Sequence, residues 1–192
     1  MTEARTRNPA RSKAAILEAA RTAFSTRGYA QVGVREIAVA AGVATSLIDR
    51  HFGNKLQLFE AALLDALAPR QEWSGRATFG DYIHRILSKP DLNIQGLLMS
   101  ILAAGDSDAS AIAARLTEGR VIAPLAEWLG SPDGHLRAVR MNAIVVGYLI
   151  QTRFLTPGNQ PEDERLLVGI SAELQRLCTP DSSPGLELPG VP

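Results

Sequence analysis

The chain has 192 residues, 46% of them hydrophobic, which suits one compact unit, or a small module on a larger one, with enough apolar mass for a real core. Twenty Lys/Arg balance twenty Asp/Glu, which excludes a bulk charge bias toward nucleic acid, yet residues 1–60 hold nine basic against five acidic side chains. A single cysteine, Cys178, excludes an intrachain disulfide, and the longest apolar run, "AIVVGYLI" (143–150), is too short to cross a bilayer.

The periodicity is helical almost throughout, and no run alternates polar and apolar residues between hairpin turns. The first helix is expected over about 9–27, with Ile16, Ala20 and Phe24 at four-residue spacing, and "RGY" (27–29) ends it. Short helices follow over about 34–41, stopped by Gly42, and over about 45–51. Asn54 caps a fourth helix, with Gln57 three residues on where a capping box places it. That helix carries Leu56, Phe59, Leu63 and Leu67 and stops before Pro69. Residues 69–77 read as a connector. Beyond it, "TFGD" (78–81), Asp91, Ser107, "SPD" (131–133) and "PEDE" (161–164) mark helix starts. These signals place helices near 78–88, 92–104, 108–129 (bent near Pro124), 132–155 and 162–178. The tail has four prolines and no periodicity, so residues 179–192 are expected to be disordered.

Within this pattern, residues 34–52 satisfy the geometry of a helix-turn-helix. Two helices crossing steeply need a small residue at the crossing, a positive φ in the turn and a branched apolar anchor on the second helix. Ala38, Gly42 and Ile48 supply these, and Ile37 and Val43 fill the adjoining core. Ile48 and Phe52 lie four apart and face inward. Thr45, Ser46, Leu47, Asp49 and Arg50 are then left on the outer faces, available to base edges and phosphates. Thr45 and Ser46 exchange hydrogen bonds in a major groove, Leu47 offers a thymine methyl an apolar contact, and Arg50 suits guanine or phosphate. Arg35, in the first turn of the preceding helix, is placed to reach the same groove. Lys55 opens the fourth helix, whose free N–H groups also attract phosphate.

The segment "VREIAVAAGVATSLIDRHFGNK", with the preceding "AILEAARTAFSTRGYAQVGV", resembles the DNA-binding part of the tetracycline-repressor (TetR) family of bacterial transcription regulators. The matches are Val34, Arg35, Ile37, Ala38, Ala41, Gly42, Val43, His51, Phe52, Lys55 and Leu58, with Phe24, Gly28 and Tyr29 ahead of them. The resemblance implies an all-α fold. A three-helix DNA-binding domain (1–54) is joined by a fourth helix to a helical dimerisation and effector-binding domain (55–178), followed by the tail (179–192). It also implies a homodimer that represses at a palindromic double-stranded DNA operator and is released by a small molecule of unknown identity. The family's base-contacting positions fall on Arg35, Thr45, Ser46 and Leu47, and its phosphate-contacting positions on His51 and Lys55. Three residues depart from the pattern. The usual capping Ser is Ala44, leaving Thr45 as the candidate cap; the usual Gly is Ser46; and the usual Tyr is Asp49. Asp49 either accepts from a cytosine amino group in the major groove or pairs with a nearby arginine such as Arg35, holding that side chain in its reading rotamer; the second is the favoured role.

The stripe Leu136, Val139, Ala143, Gly147, Ile150 and Phe154, together with Leu166, Ile170 and Leu174 on the last helix, is either intramolecular core or dimer interface. The resemblance favours the interface. Candidate effector-contacting residues are Phe79, Tyr82, Ile86, Leu98, Met99, Leu102, Trp128, Asn142, Tyr148 and Gln151. His84, His135 and Cys178 show no metal-ligand spacing, so neither metal nor cofactor is expected. The polar, basic start lacks the apolar core of a secretory signal, and a cytoplasmic protein with no membrane partner is expected. Two other classes stand against this reading. An enzyme of helical fold would need a nucleophile elbow, phosphate loop or catalytic acid pair, none of which is found. A DNA binder without a ligand response is either a constitutive regulator or an architectural binder, and a high ratio of specific to non-specific binding separates the two.

Overall fold

The computed structural model describes residues 9–67, 75–88, 94–155 and 161–179. Among them every regular element is helical: α1 (Pro9–Gln31), α2 (Val34–Ala40), α3 (Thr45–Phe52), α4 (Lys55–Ala66), α5 (Phe79–Ser88), α6 (Gln95–Leu102), α7 (Ser107–Thr117), α8 (Ala123–Leu129), α9 (Gly134–Ile150) and α10 (Pro161–Cys178). Most of the connector, the Asp91 start signal and the tail beyond Thr179 lie outside the described residues. No described helix is long and apolar enough to cross a membrane.

The described residues form two compact units. The first joins α1–α4 to α6 and α7. Its core contains Ile16, Ala20, Phe24, Ile37, Ile48, Leu58, Phe59, Leu63 and Met99, each fully buried. The four-residue spacing of α1 places one face against both α4 and α6. Arg21 of α1 pairs with Asp65 of α4 at its rim. Helix α1 does not run straight to Gln31, because Gly28 breaks it with φ 78° and ψ 167°. A Cβ there would lie 2.9 Å from the Leu102 carbonyl oxygen, so only glycine allows this approach to α6.

The second unit holds α5, most of α8, α9 and α10. Gly80 lets α5 close on α10, since an added Cβ would meet the Ser171 carbonyl oxygen at 2.6 Å. Gln175 seals the crossing by accepting from the Gly80 N–H at 2.9 Å and donating to the Arg76 carbonyl at 2.8 Å. Beside it the Arg137 guanidinium is buried. It donates to the carbonyls of Leu129, Gly130 and Pro132 after α8, and to that of Leu177 near the end of α10. Carbonyls at helix C-termini lack intrahelical partners and carry negative dipole charge, so one cation satisfies both ends.

Two start signals need correction, and the expected bend near Pro124 takes a specific form. Helix α7 is capped one residue before Ser107, by Asp106, whose carboxylate accepts from the N–H groups of Asp108 and Ala109. Helix α9 begins at Gly134 behind a left-handed Asp133, and not at Pro132 behind Ser131. The 108–129 segment is α7 and α8 joined by a π-helical turn, Glu118–Ile122, just ahead of Pro124. Proline lacks an N–H and crowds the carbonyl four residues back, here Arg120; the widened turn accommodates both. A second π-helical turn, Gln151–Leu155, extends α9.

Candidate nucleic-acid interface

The helix-turn-helix forms as its spacing requires. Gly42 turns the chain with φ 64°, the Val43 N–H donates to the Ala38 carbonyl at 3.0 Å, and Ile37, Ala38 and Ile48 are buried at the crossing. With Ile48 and Phe52 inside, Ser46, Asp49 and Arg50 are exposed, and Thr45 and Leu47 half-buried. Arg35 is exposed in the first turn of α2. Thr45 does not cap α3. The N-cap residue is Ala44, which makes no side-chain hydrogen bond, and Thr45 is the first helical residue. The cost of the missing cap is about 1 kcal/mol. Helix α4 is better made: Asn54 Oδ1 accepts from the Gln57 N–H at 2.9 Å and Gln57 Oε1 accepts from the Asn54 N–H at 3.2 Å.

The expected Asp49–Arg35 pair does not form. Neither residue makes an ion pair with any described residue. The acid of α2 that does pair is Glu36, with Arg27 of α1 at 2.5 Å. The hydrogen bond from Arg27 holds the Glu36 carboxyl below its ordinary range. His51 Nε2 is buried and makes no hydrogen bond to any described residue. Two side chains outside the expected set, Lys13 and Tyr29, lie against members of this segment. The Lys13 ammonium lies 5.9 Å from the centroid of the Phe52 ring, and the Lys55 ammonium 4.2 Å from that of Tyr29. Burial, then the charges of Asp106 and Asp108, raises the Tyr29 phenol above its ordinary value, so that ring stays neutral. Tyr29 is visible in the sequence only as the aromatic after Gly28; nothing local announces its contact with Lys55.

The candidate effector residues divide between the units. Phe79, Tyr82 and Trp128 cluster in the second unit, Phe79 lying 5.3 Å from Trp128 and 6.2 Å from Tyr82 between ring centroids. Ile86, Asn142, Tyr148 and Gln151 belong to that unit also. Burial, the largest cause, raises the Tyr148 phenol. Leu98, Met99 and Leu102 belong to the first unit, where Met99 is fully enclosed in the apolar core. A groove of about 430 Å³ opens between α5 and α10, lined by Ala77, Gly80, Asp81, His84, Val168, Ser171, Ala172 and Gln175. None of the candidate effector residues lines it. His84 Nε2 lies 3.5 Å from Glu164. No group of three or more His, Cys, Asp or Glu placed to hold a metal occurs among the described residues.

On the stripe expected at a dimer interface, Leu136, Val139, Ala143, Gly147, Phe154 and Leu166 are exposed and Ile150 and Ile170 half-buried. Leu174 is different: it is fully enclosed within its own chain and so acts as core. Its place on α10 turns it inward beside buried Leu167, Ser171 and Cys178.

A helix-turn-helix that turns polar and basic residues outward, on an all-helical chain, defines the class of DNA-binding transcriptional regulators. Comparison with known proteins places it further. Residues 16–62 match the bacterial regulatory proteins of the tetR family, and residues 82–177 the tetracyclin repressor-like C-terminal domain. The chain belongs to the TetR family of bacterial transcriptional regulators, whose members are not enzymes. It is 42% identical over 67 residues to the HTH-type transcriptional regulator TtgR of Pseudomonas putida, a match covering 35% of this chain and 31% of that protein. The match thus spans about a third of the curated relative's length. The fold resembles a TetR-family regulator of Rhodococcus sp. with TM-score 0.69 and 23% identity, over 88% of this chain and 100% of that one. It also resembles a transcriptional regulator of Pseudomonas aeruginosa PAO1 with TM-score 0.59 and 20% identity, over 92% and 97% of the two chains.

Proposed function

We propose that the chain is a cytoplasmic repressor that binds a palindromic operator as a homodimer and is released by a small-molecule effector. The observation that carries the DNA reading is the α2–α3 surface: Ile48 and Phe52 fix the inner face, leaving Arg35, Thr45, Ser46, Leu47 and Arg50 outward. On this reading Arg35, Thr45, Ser46 and Leu47 read base edges, and Arg50, His51 and Lys55 hold phosphates. Residues 1–54 serve as the DNA-binding domain and 55–178 as the dimerisation and effector domain. Dimerisation is supported by the exposed apolar side chains Leu136, Val139, Phe154 and Leu166, which an isolated chain would leave in water. The Phe79–Tyr82–Trp128 cluster is the part of the candidate effector set supported by mutual contact.

The test is footprinting of the purified protein on the promoters flanking its own gene. A protected palindrome, released by a compound related to the neighbouring genes' chemistry, is expected. Protection without symmetry would remove the dimeric operator. A second reading, a regulator without ligand response, draws support from Met99, which is enclosed in core and not open to a ligand. Protection that survives every compound tested would favour it.

A further inference from the structure

Lys55 opens α4, and its ammonium lies 4.2 Å from the centroid of the Tyr29 ring. The ring is fixed from two sides. Its centroid is 5.3 Å from that of Phe59 with the planes at 68°, and 6.1 Å from that of Phe24. Phe59 is one helical turn beyond Lys55, so both project from one face of α4 and Tyr29 touches both. The backbone sets the ring's direction. Gly28 turns the end of α1 in a conformation that side chains rarely adopt, hard against Leu102. No carboxylate among the described residues pairs with Lys55.

We propose that Tyr29 is a positioning residue for DNA binding: the face of its ring holds the Lys55 ammonium at the start of α4, ready for a phosphate. The proposal rests on the reading of Lys55 as a phosphate contact. A lysine has a long, mobile stem, and fixing it on binding costs side-chain entropy. An aromatic face attracts the cation without neutralising it, whereas a carboxylate partner would compete with the phosphate. The order is therefore supplied before DNA arrives, and the positive charge remains available.

Titration of a mixed-sequence DNA duplex at one salt concentration tests this, because phosphate contacts do not depend on sequence. Tyr29→Leu is expected to weaken binding by about three- to tenfold, while Tyr29→Phe, which keeps the ring, stays within about twofold. In a Lys55→Ala background, Tyr29→Leu should add nothing further. Equal losses in both backgrounds, or equal losses from Leu and Phe, would overturn the proposal. If Lys55→Ala binds like the parent, the phosphate reading itself falls. If Lys55→Ala weakens binding and Tyr29→Leu does not, only the positioning role falls. Because Tyr29→Leu also disturbs packing on Phe59, a second measurement uses the unaltered protein. The Lys55 ε-methylene protons should show upfield NMR shifts from the ring current, and ordinary shifts there would also overturn the proposal.

Discussion

Asp49 is exposed on α3 and meets no cation among the described residues, so its charge is unrelieved where DNA phosphates would approach. Asp49→Asn is therefore expected to raise affinity for operator and scrambled duplex alike, steepening the salt dependence by up to about 1 in logarithmic slope. Parallel titrations check it, and a fall confined to operators bearing one particular cytosine would instead make Asp49 a base reader. Arg35 is likewise exposed and makes no ion pair among the described residues. Arg35→Ala should cost about 1–3 kcal/mol at one operator position and relax base choice there. Uniform loss over a panel of substituted operators would assign it to the backbone. Cys178 shows the opposite environment. Burial pushes its thiol up to about 11, so at pH 8 only about a thousandth is thiolate. Thiol reagents should label it in denaturant and scarcely at all in the folded chain; rapid labelling at pH 8 would contradict its burial. The outward set on α3 was legible because Ile48 and Phe52 fix the inner face by period alone. The partners of charges were not, because pairs such as Arg27–Glu36 and Lys55–Tyr29 depend on how separate helices meet.

Element starts and stops were legible where the signal is chemical and local, as in the Asn54–Gln57 box and Gly42. They shifted where several candidates compete. Asp106 precedes Ser107 and its carboxylate reaches two N–H groups, so the cap falls one residue earlier, at Asp106. Proline marked a disturbance in the 108–129 helix but not its form, because a π-helical turn leaves no compositional trace. Least visible was Arg137, a charge that reads as a surface residue beside Leu136 yet is buried on α9 as the shared cap for α8 and α10. Its removal leaves the carbonyls of Leu129, Gly130, Pro132 and Leu177 without this donor. Arg137→Ala is expected to destabilise the fold by roughly 3 kcal/mol, since hydrogen bonds to a charged group are lost and buried acceptors stay unpaired. Urea unfolding measures this, and a loss below about 1 kcal/mol would show that water replaces the guanidinium.

At the scale of the molecule, an apolar stripe in the sequence announces a buried face without saying what buries it. Leu174 turned out to be covered by its own chain, whereas Leu136, Val139 and Phe154 are not covered by any described residue to that extent. The same ambiguity divided the candidate effector residues, because Leu98, Met99 and Leu102 have the right chemistry for a pocket but belong to the first unit. Gly147 separates self-cover from partner-cover cleanly. It is exposed in the middle of α9, and a Cβ added there would meet no described residue within 4 Å. Gly147→Leu should therefore leave the single chain's packing intact and, by helix propensity, favour α9 by roughly 0.5–1 kcal/mol. Where a second copy lies against this face, the same leucine would occupy space that its helices need, and overpacking costs typically about 1–3 kcal/mol at each of the two symmetric contacts. The expected outcome is a protein with full helical signal that sediments as a monomer and loses operator affinity, beside a dimeric parent. A variant that sediments as an intact dimer with normal operator affinity would move the interface off the Ala143–Gly147 face, and a monomeric parent would remove the dimer altogether.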